Sequence, residues 1–161
     1  MCAQWINGDE LTAEKLNRNR AFPSKVRAYL SAYQDLPAGA DTLVAFDSED
    51  FDLGSEFDTA THKFTAGKDG YYSIQGSIMI YKSSADWGRL SANIVKNGAT
   101  IGYFHLVVPD GSYYVNIPFM DTIFLAVGDI IEIIAYATDE PETIMGGSHY
   151  THLEISRIYE T

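Results

Sequence analysis

The sequence predicts an all-β fold, an antiparallel sandwich of nine or ten short strands. Composition is the first indication, because 11 Tyr and 13 Gly accompany many Val, Ile and Thr residues, a mixture that favours strands joined by tight turns. The second indication is apolar and polar alternation from residue 26 onward, interrupted by dipeptides that favour turns. Those dipeptides are Asn97-Gly98, Asp110-Gly111 and Gly128-Asp129.

Residues 1–25 differ from the rest and form a separate N-terminal segment in this interpretation. Asn7-Gly8 predicts a turn, and a short helix is predicted over residues 12–20, with Thr12 as N-cap and Pro23 beyond its end. A helix of about nine residues is marginal by itself, so it needs a partner surface. Its apolar contacts would come from Trp5, Leu11 and Leu16.

The strands of the body, residues 26–161, follow in order. Candidate strands occupy residues 26–33 and 42–47, and a predicted acidic loop covers residues 47–56. Further strands are predicted within 57–66, 70–81, 89–104, 105–119, 121–137 and 149–160. A polar loop, Lys-Ser-Ser-Ala-Asp-Trp-Gly, covers residues 82–88. Since no helix is predicted between these strands, antiparallel pairing is expected.

Charge and cysteine content exclude several classes of protein. Residues 28–161 carry six basic and 19 acidic side chains, and so acidic a body repels nucleic acid and anionic lipid. With Cys2 as the one cysteine, neither an intrachain disulfide nor a cysteine metal cluster is expected. No apolar run predicts membrane insertion, and no signal peptide is recognised, so synthesis in a reducing cytoplasm is expected.

One set of spacings is specific. Six residues match, interval by interval, the signature of the complement-C1q domain: Phe46, Asp52, Phe57, Phe64, Gly70 and Tyr72. The chain then departs from the signature, with Ile74 and Gly76 where further aromatic residues are usual. The resemblance implies a ten-stranded jelly roll of the C1q and tumour-necrosis-factor (TNF) superfamily that assembles as a homotrimer. It also implies that the four aromatic residues face inward and that Gly70 serves the turn before a long strand.

The N-terminal segment carries a second resemblance. Its Trp-Ile-Asn-Gly-Asp-Glu-Leu-Thr-Ala-Glu-Lys-Leu-Asn stretch resembles the attachment end of tailed-bacteriophage fibre and baseplate-associated proteins. That resemblance implies a virion protein, with Trp5, Asn7, Gly8, Leu11 and Leu16 as attachment candidates toward other virion proteins. The collagen-like repeats that precede many animal C1q heads are absent from this sequence, which favours the same interpretation.

Candidate chemical sites are few. Asp47, Glu49 and Asp50 are weak calcium candidates in an oxygen-rich loop, although the register of an EF-hand fails there, and calcium is the one cofactor considered. His149 and His152 lie three residues apart, and on a strand they would point to opposite faces. No nucleophile motif is present, and no enzymatic activity is predicted.

The candidate receptor-binding residues are Asp86, Trp87 and Arg89. An exposed Trp beside charged side chains suits a sugar ring or a protein contact, while the alternative is that Trp87 packs on the sandwich or a neighbouring subunit. The sequence therefore predicts a trimeric virion protein whose exposed loops, Lys82–Arg89 and Asp139–Gly147, bind a host-surface glycan or protein. The alternatives are a capsid decoration protein without receptor binding and a bacterial C1q-like binding module.

Overall fold

The computed structural model describes residues 24–82, 88–109 and 113–159, and within these ranges every regular element is a β-strand. The predicted N-terminal helix and the Asp110-Gly111 turn lie outside the described residues. No helix in the described part of the chain has the length and hydrophobicity needed to cross a membrane. The strands are β1 Lys25–Tyr29, β2 Gln34–Leu36, β3 Thr42–Leu43, β4 Ser48–Asp52, β5 Phe57–Asp58, β6 Lys63–Thr65, β7 Gly70–Lys82, β8 Gly88–Lys96, β9 Ala99–Val108, β10 Tyr113–Leu125, β11 Ile130–Ala137, β12 Glu142–Ile144 and β13 His152–Tyr159.

The strands form two antiparallel sheets. Sheet I has seven strands in the order β2-β12-β7-β13-β1-β4, and β10 pairs with the other side of β7. Sheet II has six strands in the order β5-β6-β11-β8-β9, and β3 also pairs with β11. Neighbouring strands are distant in sequence in both sheets, as in a jelly roll. The predicted all-β antiparallel sandwich is confirmed.

The hydrophobic core lies between the two sheets. Phe46, Phe57, Phe64 and Tyr72 are all buried there, and the rings of Phe64 and Tyr72 meet edge to face at a centroid distance of 5.8 Å. The Tyr72 hydroxyl donates a hydrogen bond of 2.8 Å to the Lys68 carbonyl oxygen. Burial of the ring raises the pKa of Tyr72. These aromatic side chains therefore hold the scaffold together, as the C1q resemblance implied.

Two predicted turns have the expected backbone. Asn97 and Gly98 both have positive φ angles, 50° and 81°, which the type I′ turn of a two-residue hairpin requires. Gly128 has a φ of 87° at the turn between β10 and β11. The Asn97 side chain links the two turns, since it donates to Asp129 Oδ1 at 2.7 Å and accepts from the Ile130 amide at 2.8 Å.

Three short strands were not predicted. The interpretation of residues 47–56 as a loop was wrong in part, because Ser48–Asp52 form β4 and pair with β1 at the edge of sheet I. The other two, β2 and β12, pair with each other, and β12 also pairs with the end of β7. The three-residue strands β2 and β12 are too short to show a sequence period, so only tertiary pairing defines them.

Asp129 is the ionisable group most stabilised by this turn network. Its carboxylate accepts from Lys96 Nζ at 2.8 Å, from Asn97 and from the Ala126 amide, and these contacts lower its pKa from 3.8 to about 2. Asp129→Asn should therefore reduce the free energy of unfolding by about 1 kcal/mol at neutral pH.

The stabilisation by Asp129 is complete above the pKa of the unfolded chain and is lost as the pH falls toward the folded-state value. Urea denaturation at a series of pH values should thus show the wild-type and Asp129→Asn curves converging on acidification. A difference that stays constant as the pH falls would contradict this assignment.

Candidate functional site

The outward surface of sheet I carries an unusual number of exposed apolar side chains. On β7 and β10, alternate residues point away from the core and pair in register: Tyr71 with Phe124, Gln75 with Met120, Ser77 with Pro118, and Tyr81 with Tyr114. We call the outward-pointing Tyr71, Tyr81, Tyr114, Pro118, Met120 and Phe124 the apolar face. Contiguous exposed apolar surface of this kind indicates a protein contact or a ligand-binding groove.

On one side of the sandwich, each sheet ends in a strand that has an unpaired edge. Among the described residues, β10 pairs only with β7 and β9 pairs only with β8. Edge strands with apolar side chains are prone to pair with another chain unless something covers them. Leu106 and Val107 on β9 and Tyr113 on β10 add exposed apolar surface at this edge. We call β9 and β10, together with the exposed Leu106, Val107 and Tyr113, the free edge.

A groove of about 570 Å³ opens on the apolar face. Its apolar walls include Phe104, Pro118 and Met120, and its polar wall is His152 and Glu154 on β13. Phe104 belongs to β9, and its ring lies 6.4 Å from that of Phe119 on β10. The groove therefore reaches the free edge. The arrangement can accept an apolar side chain beside a small polar cluster.

Glu154 of the polar wall is hydrogen-bonded to the neighbouring strands. Arg27 Nε donates to Glu154 Oε1 at 2.8 Å, Arg27 also pairs with Asp50, and Gln75 donates to Glu154 Oε2 at 3.0 Å. Burial raises the pKa of Glu154, but the hydrogen bonds from Gln75 and Arg27 outweigh it and the pKa is lowered. Burial and the nearby Arg27 lower the pKa of His152, which favours its neutral form.

The candidate receptor-binding residues are placed only in part. Arg89 is an exposed residue of β8, with its guanidinium carbon 5.9 Å from the Tyr103 ring centre and 6.0 Å from that of Tyr136. Asp86 and Trp87 lie outside the described residues, as do the attachment candidates Trp5, Asn7, Gly8, Leu11 and Leu16. The prediction that Lys82–Arg89 and Asp139–Gly147 are exposed loops was wrong at Lys82 and at β12, because Lys82, Glu142 and Ile144 are buried.

The calcium candidates do not converge. Asp47 accepts from the Ser31 amide and hydroxyl, Asp50 pairs with Arg27, and Glu49 lies on β4. Hydrogen bonds from Ser31 outweigh the effect of burial and lower the pKa of Asp47. No group of three or more potential metal ligands occurs among the described residues. Calcium therefore stays a sequence-based candidate without a geometry to support it.

The remaining signature residues have structural contacts. Asp52 accepts from the amides of Gly54 at 3.0 Å and Phe57 at 2.9 Å, which closes the turn after β4. Gly70 begins β7 where a Cβ atom would lie 2.5 Å from the Tyr159 carbonyl oxygen. The premise that His149 and His152 share a strand was wrong, since β13 begins at His152 and His149 lies before it, packed on Tyr150.

The apolar face is the feature that sequence reasoning missed. The sequence signal for this face lies in residues 113–125. There Tyr, Pro, Met and Phe alternate with the buried Ile117, Phe119 and Leu125, so they point to the other face of the strand. Apolar residues on both faces of a strand are typical of strands that are buried on both faces, so the pattern favours a partner for the outward face of β10.

Comparison with solved structures identifies the fold as TNF/C1q-like. The Eiger TNF from S. frugiperda superposes with a TM-score of 0.67 at 10% identity, covering 87% of this chain and 95% of that one. The globular domain of zebrafish complement 1qA protein gives 0.62 at 15% identity, with coverages of 87% and 99%. Murine APRIL gives 0.66 at 13% identity, with coverages of 84% and 99%.

No protein-family model matches the sequence, and no curated protein is similar to it at a significant level. The structural likeness spans the sandwich from end to end at very low identity. It therefore establishes the jelly-roll fold, and arguments about function must come from the surfaces described above.

Proposed function

We propose that the protein is a non-enzymatic structural component of a bacteriophage virion, a homotrimeric fibre, tip or head-fibre protein. In this proposal the N-terminal segment attaches to other virion proteins, and the jelly-roll body binds a receptor or glycan on the host surface. The observation that carries the proposal is the juxtaposition of the apolar face with the free edge.

These two surfaces support a closed ring rather than a two-fold dimer. The apolar face is the broad side of sheet I, whereas the free edge is the rim formed by β9 and β10. Contact between two different surfaces is heterologous, and such contacts form a cyclic assembly when the rotation between protomers closes. If the free edge of each protomer covers the apolar face of the next, both of these surfaces are buried, and the resemblance implies three protomers.

A trimer suits adhesion because it repeats the same contact. Each individual contact with a host molecule can be weak, yet several copies on one particle raise the effective affinity by orders of magnitude, about 10² to 10⁴. The charge is unevenly distributed along the chain, with a slightly basic N-terminal segment and an acidic body. This supports separate binding partners for the two parts, because opposite charges favour different partners.

The carboxylates of the first half of the body support a structural role for that region. Asp52 and Asp58 accept hydrogen bonds from nearby backbone amides, and Glu56 accepts from the Ser24 hydroxyl and the Gly67 amide. Carboxylates held in this way stabilise turns and are poorly placed to act as acid and base.

Two other functions use the same surfaces. A capsid decoration protein would also trimerise and attach by its N-terminal segment, but it would stabilise the head without touching the host. A bacterial C1q-like binding module would keep the receptor-binding body and lack any virion attachment. Binding of the purified trimer to host cells, together with the strength of capsids that lack the protein, separates these functions.

Attachment through residues 1–22 gives a direct test. Particles assembled without this protein should take up the purified full-length chain, whereas a chain lacking residues 1–22 should remain in solution although it is still trimeric. Sedimentation of particles followed by immunoblotting measures the uptake. Equal uptake of both chains would overturn the assignment of the N-terminal segment, and uptake of neither would overturn the virion role.

A further inference from the structure

The outward surface of sheet II holds a polar and aromatic cluster that faces away from sheet I. On β8, Leu90, Ala92 and Ile94 point into the core, so the intervening Ser91 and Asn93 point outward. In register, Ser91 lies between Tyr136 of β11 and His105 of β9, and Asn93 lies between Ile134 and Tyr103. Cross-strand neighbours of this kind are in side-chain contact.

Arg89 and two tyrosines cover the cluster loosely. The Arg89 guanidinium lies over both Tyr103 and Tyr136 at the outer limit of a cation–π contact, about 6 Å, so its hold is weak. Tyr103 is 49% exposed and packs against the His105 ring at a centroid distance of 5.3 Å. An arginine held so weakly can move aside when another ring approaches the tyrosines.

Beneath this cover, two buried polar atoms lack partners. Ser91 is fully buried and Asn93 is 7% exposed, and neither Ser91 Oγ nor Asn93 Oδ1 has a hydrogen-bond partner among the described residues. Leaving a buried polar atom unpaired costs about 1–3 kcal/mol, so such atoms usually mark a ligand, an ordered water or a functional contact. Here two of them occupy adjacent outward positions on one strand.

We propose that this cluster is a binding site for a neutral saccharide. A pyranose ring would stack on Tyr103 and Tyr136 after displacing Arg89. Its hydroxyl groups, which both donate and accept, would pair with Ser91 Oγ and Asn93 Oδ1. A carboxylate cannot donate to Asn93 Oδ1, and the acidic body repels anions. The inference rests on the proposed host-surface function and identifies the ligand class.

The site lies on the outward surface of sheet II, opposite to the apolar face, and the proposal requires the part of β9 that carries Tyr103 and His105 to stay uncovered when the free edge packs on the next protomer. All of its residues belong to β8, β9 and β11 of one protomer. Its occupancy can therefore be measured whether or not the chain trimerises, and a failure of the trimer is distinguishable from a failure of the site.

The test is calorimetric titration of the full-length chain with neutral oligomers of glucose, galactose, mannose and N-acetylglucosamine, with a polyuronate as the anionic probe. At least one neutral oligomer should bind, and Tyr103→Ala and Asn93→Leu should each weaken that binding at least about tenfold. Tyr33→Ala is the matched control, since Tyr33 is 69% exposed and directly precedes β2 of sheet I, outside the cluster, and it should bind as the wild type does.

Thermal melting adds a readout that separates a binding site from a structural cluster. Asn93→Leu removes an unpaired buried carbonyl, so it should raise the melting temperature while it weakens saccharide binding. Undiminished binding in both variants, binding of the polyuronate alone, or no binding of any neutral oligomer would overturn the proposal. Light scattering on the same samples reports the trimer independently.

Discussion

Met120→Glu should convert the proposed trimer into monomers at micromolar concentration. Met120 projects from the centre of the apolar face with 67% of its side chain exposed, in register with Gln75 and, beyond it, Glu154. A glutamate there would place a charge opposite Gln75, on the same face as Glu154, in a surface that association must desolvate. A loss of about 2 kcal/mol at each interface corresponds to roughly 30-fold weaker association, and the loss repeats around the ring.

Val127→Glu provides the matched control for Met120→Glu. Val127 is 63% exposed and apolar, but it lies in the turn between β10 and β11, outside the apolar face. Both variants add one negative charge, so a difference in their oligomeric state reports the effect of where the charge lies and not of the charge itself. Sedimentation velocity and the circular dichroism spectrum together separate dissociation from unfolding. Trimers that persist in Met120→Glu as they do in Val127→Glu would show that the apolar face is not the interface.

Gly76→Ala should destabilise the monomer fold by about 3 kcal/mol or more. A Cβ atom at this position would lie 2.2 Å from the His152 carbonyl oxygen and 2.6 Å from Phe119 Cζ. The backbone oxygen belongs to β13, which pairs directly with β7, so relief of the clash requires the centre of sheet I to separate. Phe119 occupies the space that a larger residue at position 76 would need.

Gly88→Ala is the comparison for this second variant. Gly88 begins β8, its φ is not in the left-handed region, and an added Cβ would approach no atom closer than 3.3 Å, the Asp139 Oδ2. Urea unfolding should place Gly88→Ala near the wild type and Gly76→Ala at a much lower midpoint, or leave it unfolded. Equal midpoints for Gly76→Ala and the wild type would contradict the packing described for Phe119.

Local signals explain why much of the sandwich could be predicted from sequence. Asn97-Gly98 tolerates the positive φ angles of its turn by itself, so that hairpin needed no tertiary information. Gly76 illustrates the opposite case. It departs from the aromatic pattern of the C1q signature, and the reason is visible only once Phe119 of β10 is seen to pack over it. Strands such as β2 and β12 exist through pairing alone.

The candidate surfaces depend on register, which a single sequence does not contain. Ser91 and Asn93 are ordinary polar residues of an alternating strand until the pairing places Tyr136, His105 and Tyr103 beside them. The acidic residues near position 50 were conspicuous in sequence, yet backbone amides, Ser31 and Arg27 engage several of them. Conspicuous charge thus belonged to β4 and the turns beside it, while inconspicuous polar residues formed the candidate saccharide site.

The native mass of the purified chain at low micromolar concentration tests the central claim most directly. Measured with and without residues 1–22, it should equal three times the mass of one chain, which is 17.9 kDa for the full-length protein. Trimers in both forms are the predicted result, since the apolar face and the free edge both belong to the jelly-roll body. A monomer in both forms would contradict the proposed assembly and the multivalent adhesion that depends on it.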